Sequence, residues 1–239
     1  MRDLDWDGLR NVRDLGGLPT PLSRTGTTVV GRIARGPRRE LMTTAGWSAA
    51  GQWGLRSIVD LRAEVESGRR EGDPDAHVPG DVSITRAPTE DWDDPQFREV
   101  CLPVLDSPEY WQHNVRILPD LVRATLEAIA ASTPGVLVHC SAGRDRTGMV
   151  AALLLANAGV APADILADYG DSVRAMATGV EHGGPTADPQ ALFSPAQVEQ
   201  WLGEVGVHVV EFAQRADAHM AELHLDPEVK QRLRAFLTE

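Results

Sequence analysis

Gly135-Val-Leu-Val-His-Cys-Ser-Ala-Gly-Arg-Asp-Arg-Thr-Gly148 is the stretch on which the reading of this chain turns. Gly135 to His139 is a short apolar run behind a Pro134-Gly135 break, the pattern of a buried strand. From about Thr147 to Asn157 the chain is apolar again, at helical length, and Gly159 stops it. The loop from Cys140 to Arg146 therefore joins the end of a strand to the start of a helix.

That position suits thiolate chemistry on a phosphate ester. A free cysteine titrates near pH ~8.5, and a helix N-terminus with nearby cations lowers this. Ser141, Ala142, Gly143, Arg144, Asp145 and Arg146 can turn their backbone amides inward as an anion cradle. Gly143 lets the loop curl. Arg146 can return across the loop and hold two phosphate oxygens with its planar fork. The same donors favour a transition state whose charge spreads over the equatorial oxygens. Thr147 can offer a hydroxyl to the sulfur, and His139 is expected to be buried and to fix the loop by hydrogen bonding. A lone cysteine is more often a core residue; here Cys, Gly, Arg and Thr-Gly at fixed offsets between strand and helix favour chemistry.

Working outward, Arg56 to Leu61 reads as a buried strand, Val82 to Arg86 as a second and Thr27 to Ile33 as a third. Thr43 to Trp53 reads as a helix capped by Thr43 and closed by Gly54. Ser107 is read as the cap of one long helix beginning at Pro108, with Leu118, Leu121, Val122, Leu126 and Ile129 at helical spacing. Pro162, Ser194-Pro-Ala-Gln197 and Asp226-Pro227 start further helices. Alternation of strand and helix implies an α/β fold, a mostly parallel central sheet flanked by helices. One domain over 1–239 is expected, with about 160–239 as its helical extension, either lid or buttress. The Gly-rich run from Thr178 to Pro185 reads either as a hinge for a helical cover or as a long surface loop.

A net charge of −12 disfavours nonspecific binding to nucleic acid or anionic membrane. No stretch is long and apolar enough to span a bilayer, so no integral membrane association is expected. Met1 to Trp6 carries two aspartates and no apolar run, which reads as no secretory signal and a cytoplasmic location, with non-classical export left open. The two cysteines, Cys101 and Cys140, make no metal pair, and the scattered histidines no metal cluster; neither metal nor cofactor is expected. Cys101 is read as an apolar residue, or as a partner for an oxidised Cys140. Of the 23 basic residues only Lys230 is lysine, which reads as codon bias or as selection for guanidinium contacts.

His139-Cys140, five residues, then Arg146-Thr147-Gly148 resembles the signature of the protein tyrosine and dual-specificity phosphatases. In detail it is most similar to the bacterial tyrosine/serine phosphatase family, which includes secreted mycobacterial enzymes. Asn11-Val-Arg-Asp-Leu-Gly-Gly17 resembles that family's N-terminal motif, and Ile58-Val-Asp-Leu-Arg62 with Glu64 and Glu66 its second motif. Ile165 to Tyr169 and Pro227 to Leu237 resemble its helical C-terminal part. Two features depart from it: Arg144 stands where lysine is usual, and Ala34-Arg35-Gly36 where an aromatic-Arg-Ser run is usual.

The resemblance implies a tyrosine-phosphatase-like fold and hydrolysis of phosphate monoesters through a phosphocysteine on Cys140. Phosphotyrosine in proteins is the first expectation and phosphoserine/threonine the second; the alternative is a phosphoinositide or small phosphate ester. Phosphate or sulfate should occupy the loop. An inactive phosphate-binding module and a rhodanese-type sulfur transferase are weaker readings. The acid that protonates the leaving oxygen stays open between Asp60, at the end of a predicted strand, and Asp145, inside the loop, with Asp93 behind them. Asp60 and Asp145 could instead be braces. Arg13 and Asp14 read either as contacts supporting the loop or as a surface ion pair.

Overall fold

The computed structural model describes residues 2–177 and 189–239, so the Gly-rich hinge or loop expected between 178 and 185 lies outside the described residues. At the centre is a five-stranded sheet in the order β1-β2-β5-β3-β4: β1 Arg13–Asp14, β2 Ile33–Gly36, β3 Ser57–Asp60, β4 Ser83–Arg86 and β5 Val136–His139. Only the β1–β2 pair is antiparallel. The mostly parallel α/β sheet read from the sequence is the observed one.

The strands alternate between two apolar layers. Ile33, Val59, Val136 and Val138 face one layer, and Ala34, Ile58 and Leu137 face the other. The second layer is closed by α1 (Thr44–Trp53) and the N-terminal segment with Trp6, Leu9 and Val12. Thr43 accepts the Gly46 amide at 3.2 Å and Gly54 ends α1 in the left-handed region (φ 105), as the sequence signals imply.

The first layer is the larger. It holds α2 (Pro95–Val100), α3 (Tyr110–Ile117), α4 (Pro119–Ala131), α5 (Asp145–Asn157), α6 (Pro162–Met176), α7 (Pro195–Gln214), α8 (Ala216–Glu222) and α9 (Pro227–Thr238). α5 is buried almost all round, as a helix packed on every side must be. Its last carbonyl, on Asn157, accepts Arg234 Nε of α9 at 2.9 Å, which satisfies a group that no intrahelical donor can reach.

Three expectations are corrected. The strand expected at Thr27 to Ile33 lies at Ile33–Gly36, where Arg35 is fully buried by ion pairing; a charged residue hid a core strand. The single long helix from Pro108 is two, because Pro119 lacks an amide hydrogen and forces Leu118 out of helical backbone (φ −120, ψ 51). α5 begins at Asp145 rather than Thr147, which brings Asp145 and Arg146 into its first turn.

One buried carboxylate ties the C-terminal helices to the N-terminal strands. Asp168 of α6 pairs with Arg2, with Arg13 of β1 at 3.4 Å and with Arg35 of β2 at 2.5 Å. Arg13 also donates to the Asp168 carbonyl and to Ser172 Oγ, both at 2.8 Å. Burial alone would raise the Asp168 carboxyl, but Arg35, Arg13 and Arg2 outweigh it and hold it well below the usual carboxylate range. Its contribution to stability is therefore complete above the unfolded value near pH ~4 and is lost as pH falls below that. Asp168→Asn leaves buried arginines uncompensated and should cost about 3–5 kcal/mol at pH 7 in urea denaturation. The loss should shrink as pH is lowered below about 4. A pH-independent difference between mutant and parent would contradict this.

Candidate active site

Cys140 follows β5 directly, and Asp145 opens α5, so the loop from Ser141 to Arg144 turns between the C-terminal edge of the sheet and a helix N-terminus. A backbone that turns its amides to one side turns its carbonyls to the other, and each buried carbonyl needs a donor there. Every carbonyl in the loop has one. Leu61 N donates to His139 O at 2.9 Å, and Arg38 N to Ser141 O at 3.0 Å. His139 Nδ1 reaches Cys140 O at 2.9 Å. Asn11 Nδ2 donates to Ala142 O at 3.1 Å and Arg35 Nη2 to Gly143 O at 2.8 Å. Gly148 N donates to Arg144 O at 2.7 Å, and Arg35 Nη2 also lies 3.4 Å from it. Among the described residues, the amides of Ser141, Ala142 and Gly143 donate to no protein acceptor. The concave side of the loop is therefore a row of donors beside Cys140.

Gly143 sits at φ +75, and a Cβ there would meet Gly36 O and Pro37 N at 2.6 Å. Only glycine combines this left-handed backbone with such close approach to the segment after β2.

Cys140 is 3% exposed. Arg146 beside it is half-buried and is gripped end-on by Glu66, Nη1 to Oε2 at 2.6 Å and Nη2 to Oε1 at 2.8 Å. Burial alone would lower the Arg146 guanidinium; Glu90, Glu66 and Cys140 together raise it well above its ordinary value. Its side edge, with Nε, remains turned toward Glu90, whose Oε2 is 3.7 Å away. Thr147 Oγ1 is buried without a hydrogen-bond partner, so the expected hydroxyl contact to the sulfur is not formed.

The tautomer of His139 follows from its partners. A carbonyl only accepts, so Nδ1 carries the proton toward Cys140 O. Nε2 then accepts from Arg39 Nη1 at 3.1 Å. Burial pushes the ring down to about 4, against the opposing pull of Asp60, so His139 is neutral near pH 7.

The aspartates fall into different environments. Asp60 is 1% exposed and accepts Arg62 Nε at 2.9 Å, Arg62 Nη2 at 2.8 Å and Arg39 Nη1 at 2.6 Å. Burial opposes its ionisation, but Arg62, His139 and Arg39 hold it far below the usual carboxylate range. Asp145 takes Arg144 Nε on both oxygens at 3.0 Å and the Tyr169 hydroxyl at 3.5 Å. Arg144 is itself 1% exposed and lies over the Trp201 ring of α7 at 5.6 Å, so its side chain is folded onto the helical extension. Asp93 is solvent-exposed. Asp14 accepts the Gly16 and Gly31 amides at 2.7 Å and Trp53 Nε1 at 2.9 Å; it braces a turn. Arg13 supports the loop at one remove, since its Nη1 holds Asn11 Oδ1 at 2.6 Å. Cys101 is fully buried, with its thiol pushed up to about 11 by burial and by Glu90.

Sequence reasoning did not single out Asn11, Arg35, Arg38, Glu66, Glu90 or Asp168 for roles at this site. Asn11, Arg35 and Glu66 lay inside quoted motifs, yet nothing in their spacing says which carbonyl or guanidinium they meet. Glu90 stands beside Asp91, Asp93 and Asp94 in an acidic run, and its burial carries no sequence signal.

Residues 4–239 match the model of the tyrosine phosphatase family. A protein of Cupriavidus necator named among the tyrosine-protein phosphatases is 32% identical over 179 residues, covering 71% of this chain and 63% of that protein. The triple specificity protein phosphatase PtpB of Mycobacterium tuberculosis is 27% identical over 189 residues, covering 68% of this chain and 66% of that protein. The match thus spans just under two thirds of the length of these relatives. The core catalytic domain of the PP-IP phosphatase SIW14 from S. cerevisiae, solved with citrate, matches at a TM-score of 0.39 and 14% identity over 79% of this chain and 87% of that one, too loosely to inform the site. With its family model matched over almost its whole length, the chain belongs to the tyrosine phosphatase family.

Proposed function

We propose that this chain hydrolyses phosphate monoesters, phosphotyrosine in proteins first and phosphoserine/threonine second, through a phosphocysteine on Cys140. The observation that carries this is the outward anchoring of every loop carbonyl from His139 to Arg144, which leaves an amide cradle beside the sulfur. The phosphate sits in the cradle against the Nε edge of Arg146, the one Glu66 does not grip, and Cys140 attacks phosphorus opposite the ester oxygen. The names of the relatives favour protein substrates. Exposed Val65, adjacent in sequence to Glu66, and exposed Trp92, two residues after Glu90, supply apolar surface on both loops that flank Arg146.

In this reading Asp60 is a brace. It stays ionised at neutral pH and has no proton to give a leaving group. Asp145 is the brace of Arg144 and holds it on Trp201. Through Arg35–Asp168 and Arg144–Trp201 the helices beyond residue 160 act as a buttress of the same catalytic domain. No described helix is long and apolar enough to cross a membrane. Both cysteines are free, and a catalytic thiol is best kept in a reducing compartment such as the cytoplasm.

Cys140→Ser should abolish turnover of p-nitrophenyl phosphate while orthovanadate still binds; retained turnover excludes Cys140 as nucleophile. Arg35→Lys keeps a cation beside Asp168 but gives up the second arm that holds Gly143 O. Steady-state kinetics should show kcat reduced by up to roughly 100-fold, with KM changed far less, because the cradle is misplaced rather than removed. An unchanged kcat would show that the loop holds its shape without this arm.

A further inference from the structure

Away from the phosphate loop, the turn from α7 into α8 meets the segment entering α3 around a cavity of about 320 Å³, at the lower end of the size range of small-molecule sites. Its lining includes buried Pro108, Phe212 and His219 and, nearer solvent, Glu109, Glu211 and Arg215.

His219 is 2% exposed, and its ring stacks on Phe212 with centroids 4.6 Å apart and planes at 24°. Among the described residues, neither ring nitrogen has a hydrogen-bond partner. Glu222 Oε2, one turn on in α8, stands at a long 3.6 Å from Nδ1. A carboxylate only accepts, so the ring proton sits on Nδ1, facing it. Burial lowers the ring below the ordinary histidine value, against the pull of Glu222, so it is neutral near pH 7. Nε2 is then a buried lone pair without a donor, and native structures rarely leave such an atom unmet.

The donor that suits Nε2 suits the rest of the lining as well. Glu109 and Glu211 add two carboxylates that only accept. Among the described residues Glu211 has no ion pair, and Glu109 has only His208, at 4.0 Å. Arg215 is the one guanidinium in the lining; it is exposed, and water and salt screen its charge. The whole chain carries a net charge of −12, which draws cations rather than anions.

We propose that this cavity binds a small organic cation, a primary ammonium on a short apolar body. The ammonium donates to His219 Nε2 and to the Glu109 and Glu211 carboxylates, and the apolar body lies against Phe212 and Pro108. The site is separate from the phosphate loop and does not depend on the phosphocysteine reading. Behind it, Phe212 meets Trp111 at 5.4 Å, Trp111 meets Tyr169 at 5.3 Å, and the Tyr169 hydroxyl lies 3.5 Å from Asp145.

The test is a titration of the full chain with phenethylamine, phenethyl alcohol and phenylpropionate, which share one body and differ in the terminal group. It is followed by nitrogen and proton NMR of the histidine rings. Phenethylamine should shift the His219 Nε2 resonance saturably and bind roughly 10-fold more tightly than the alcohol or the acid, the gain of a charge-assisted hydrogen bond. Orthovanadate, which occupies the phosphate loop, should leave the titration unchanged. His219→Phe keeps the stack and removes both nitrogens; its affinity for phenethylamine should fall to that of the alcohol while p-nitrophenyl phosphate turnover is retained. Glu211→Gln, at an exposed position, should weaken phenethylamine roughly 3-fold and serves if His219→Phe does not fold. A His219 ring that no probe shifts, as in a cavity that takes water only, overturns the proposal. Equal affinity for the three probes, displacement by orthovanadate, or unaltered phenethylamine binding in a folded His219→Phe or in Glu211→Gln overturns it too.

Discussion

A loop can offer its amides to an anion only if its carbonyls are satisfied somewhere else. That constraint organises this molecule. The donors that meet the carbonyls from His139 to Arg144 come from the N-terminal segment, β2 and the residues after it, the end of β3, the loop's own histidine and the first turn of α5. None of these groups need touch a substrate. Each is placed by the sheet order, which sets β5 between β2 and β3 and so brings the ends of both neighbouring strands against the loop. The asparagine and arginine of the first motif, and the arginine of β2, are thereby explained as supports for backbone geometry.

The same constraint accounts for the buried charge. Arg13, Arg35, Arg38, Arg62 and Arg144 are all at most 3% exposed. A buried ion is tolerated when it is paired, and a guanidinium has enough hydrogens to serve two partners at once. Arg35 spans Asp168 and the loop, and Arg62 spans Asp60 and Glu40. Arg38 gives its amide to Ser141 O while its side chain clasps Asp73 at 2.5 and 2.7 Å. Lysine, with one point charge on a flexible stem, would do only half of each task. In a chain with one lysine, much of the arginine content is thus structural as well as compositional.

The sequence was most informative where local chemistry decides the structure. The caps at Thr43, Ser194 and Asp226, the strand before Cys140 and the glycine inside the loop stand where the spacing puts them. It was least informative where burial of a polar residue depends on a distant partner. β2 was misplaced because Arg35 reads as a surface residue until Asp168, far along the chain, is known to neutralise it. α8 was not anticipated, since it follows α7 with only Arg215 between them and no Pro or Gly marks the join. Asp60 reads either as a carboxylate open to the crevice at a strand end or as a brace for a nearby arginine; it pairs with Arg62, two residues on, while Arg39, which also holds it, carries no signal in the spacing. Glu90 was overlooked for the converse reason: an acidic loop looks solvated, and only the packing of Thr89 and Asn114 turns one of its carboxyl groups inward.

The central claim is that the cradle exists to put a phosphoryl group on one sulfur. Rapid acid quenching during turnover of phenyl phosphate, followed by mass spectrometry of the peptide that contains residues 139–146, tests it directly. The account predicts a phosphoryl adduct on Cys140 that accumulates before product release and decays with it. Steady turnover with Cys140 never modified, or with the phosphoryl group on any other residue, would contradict it.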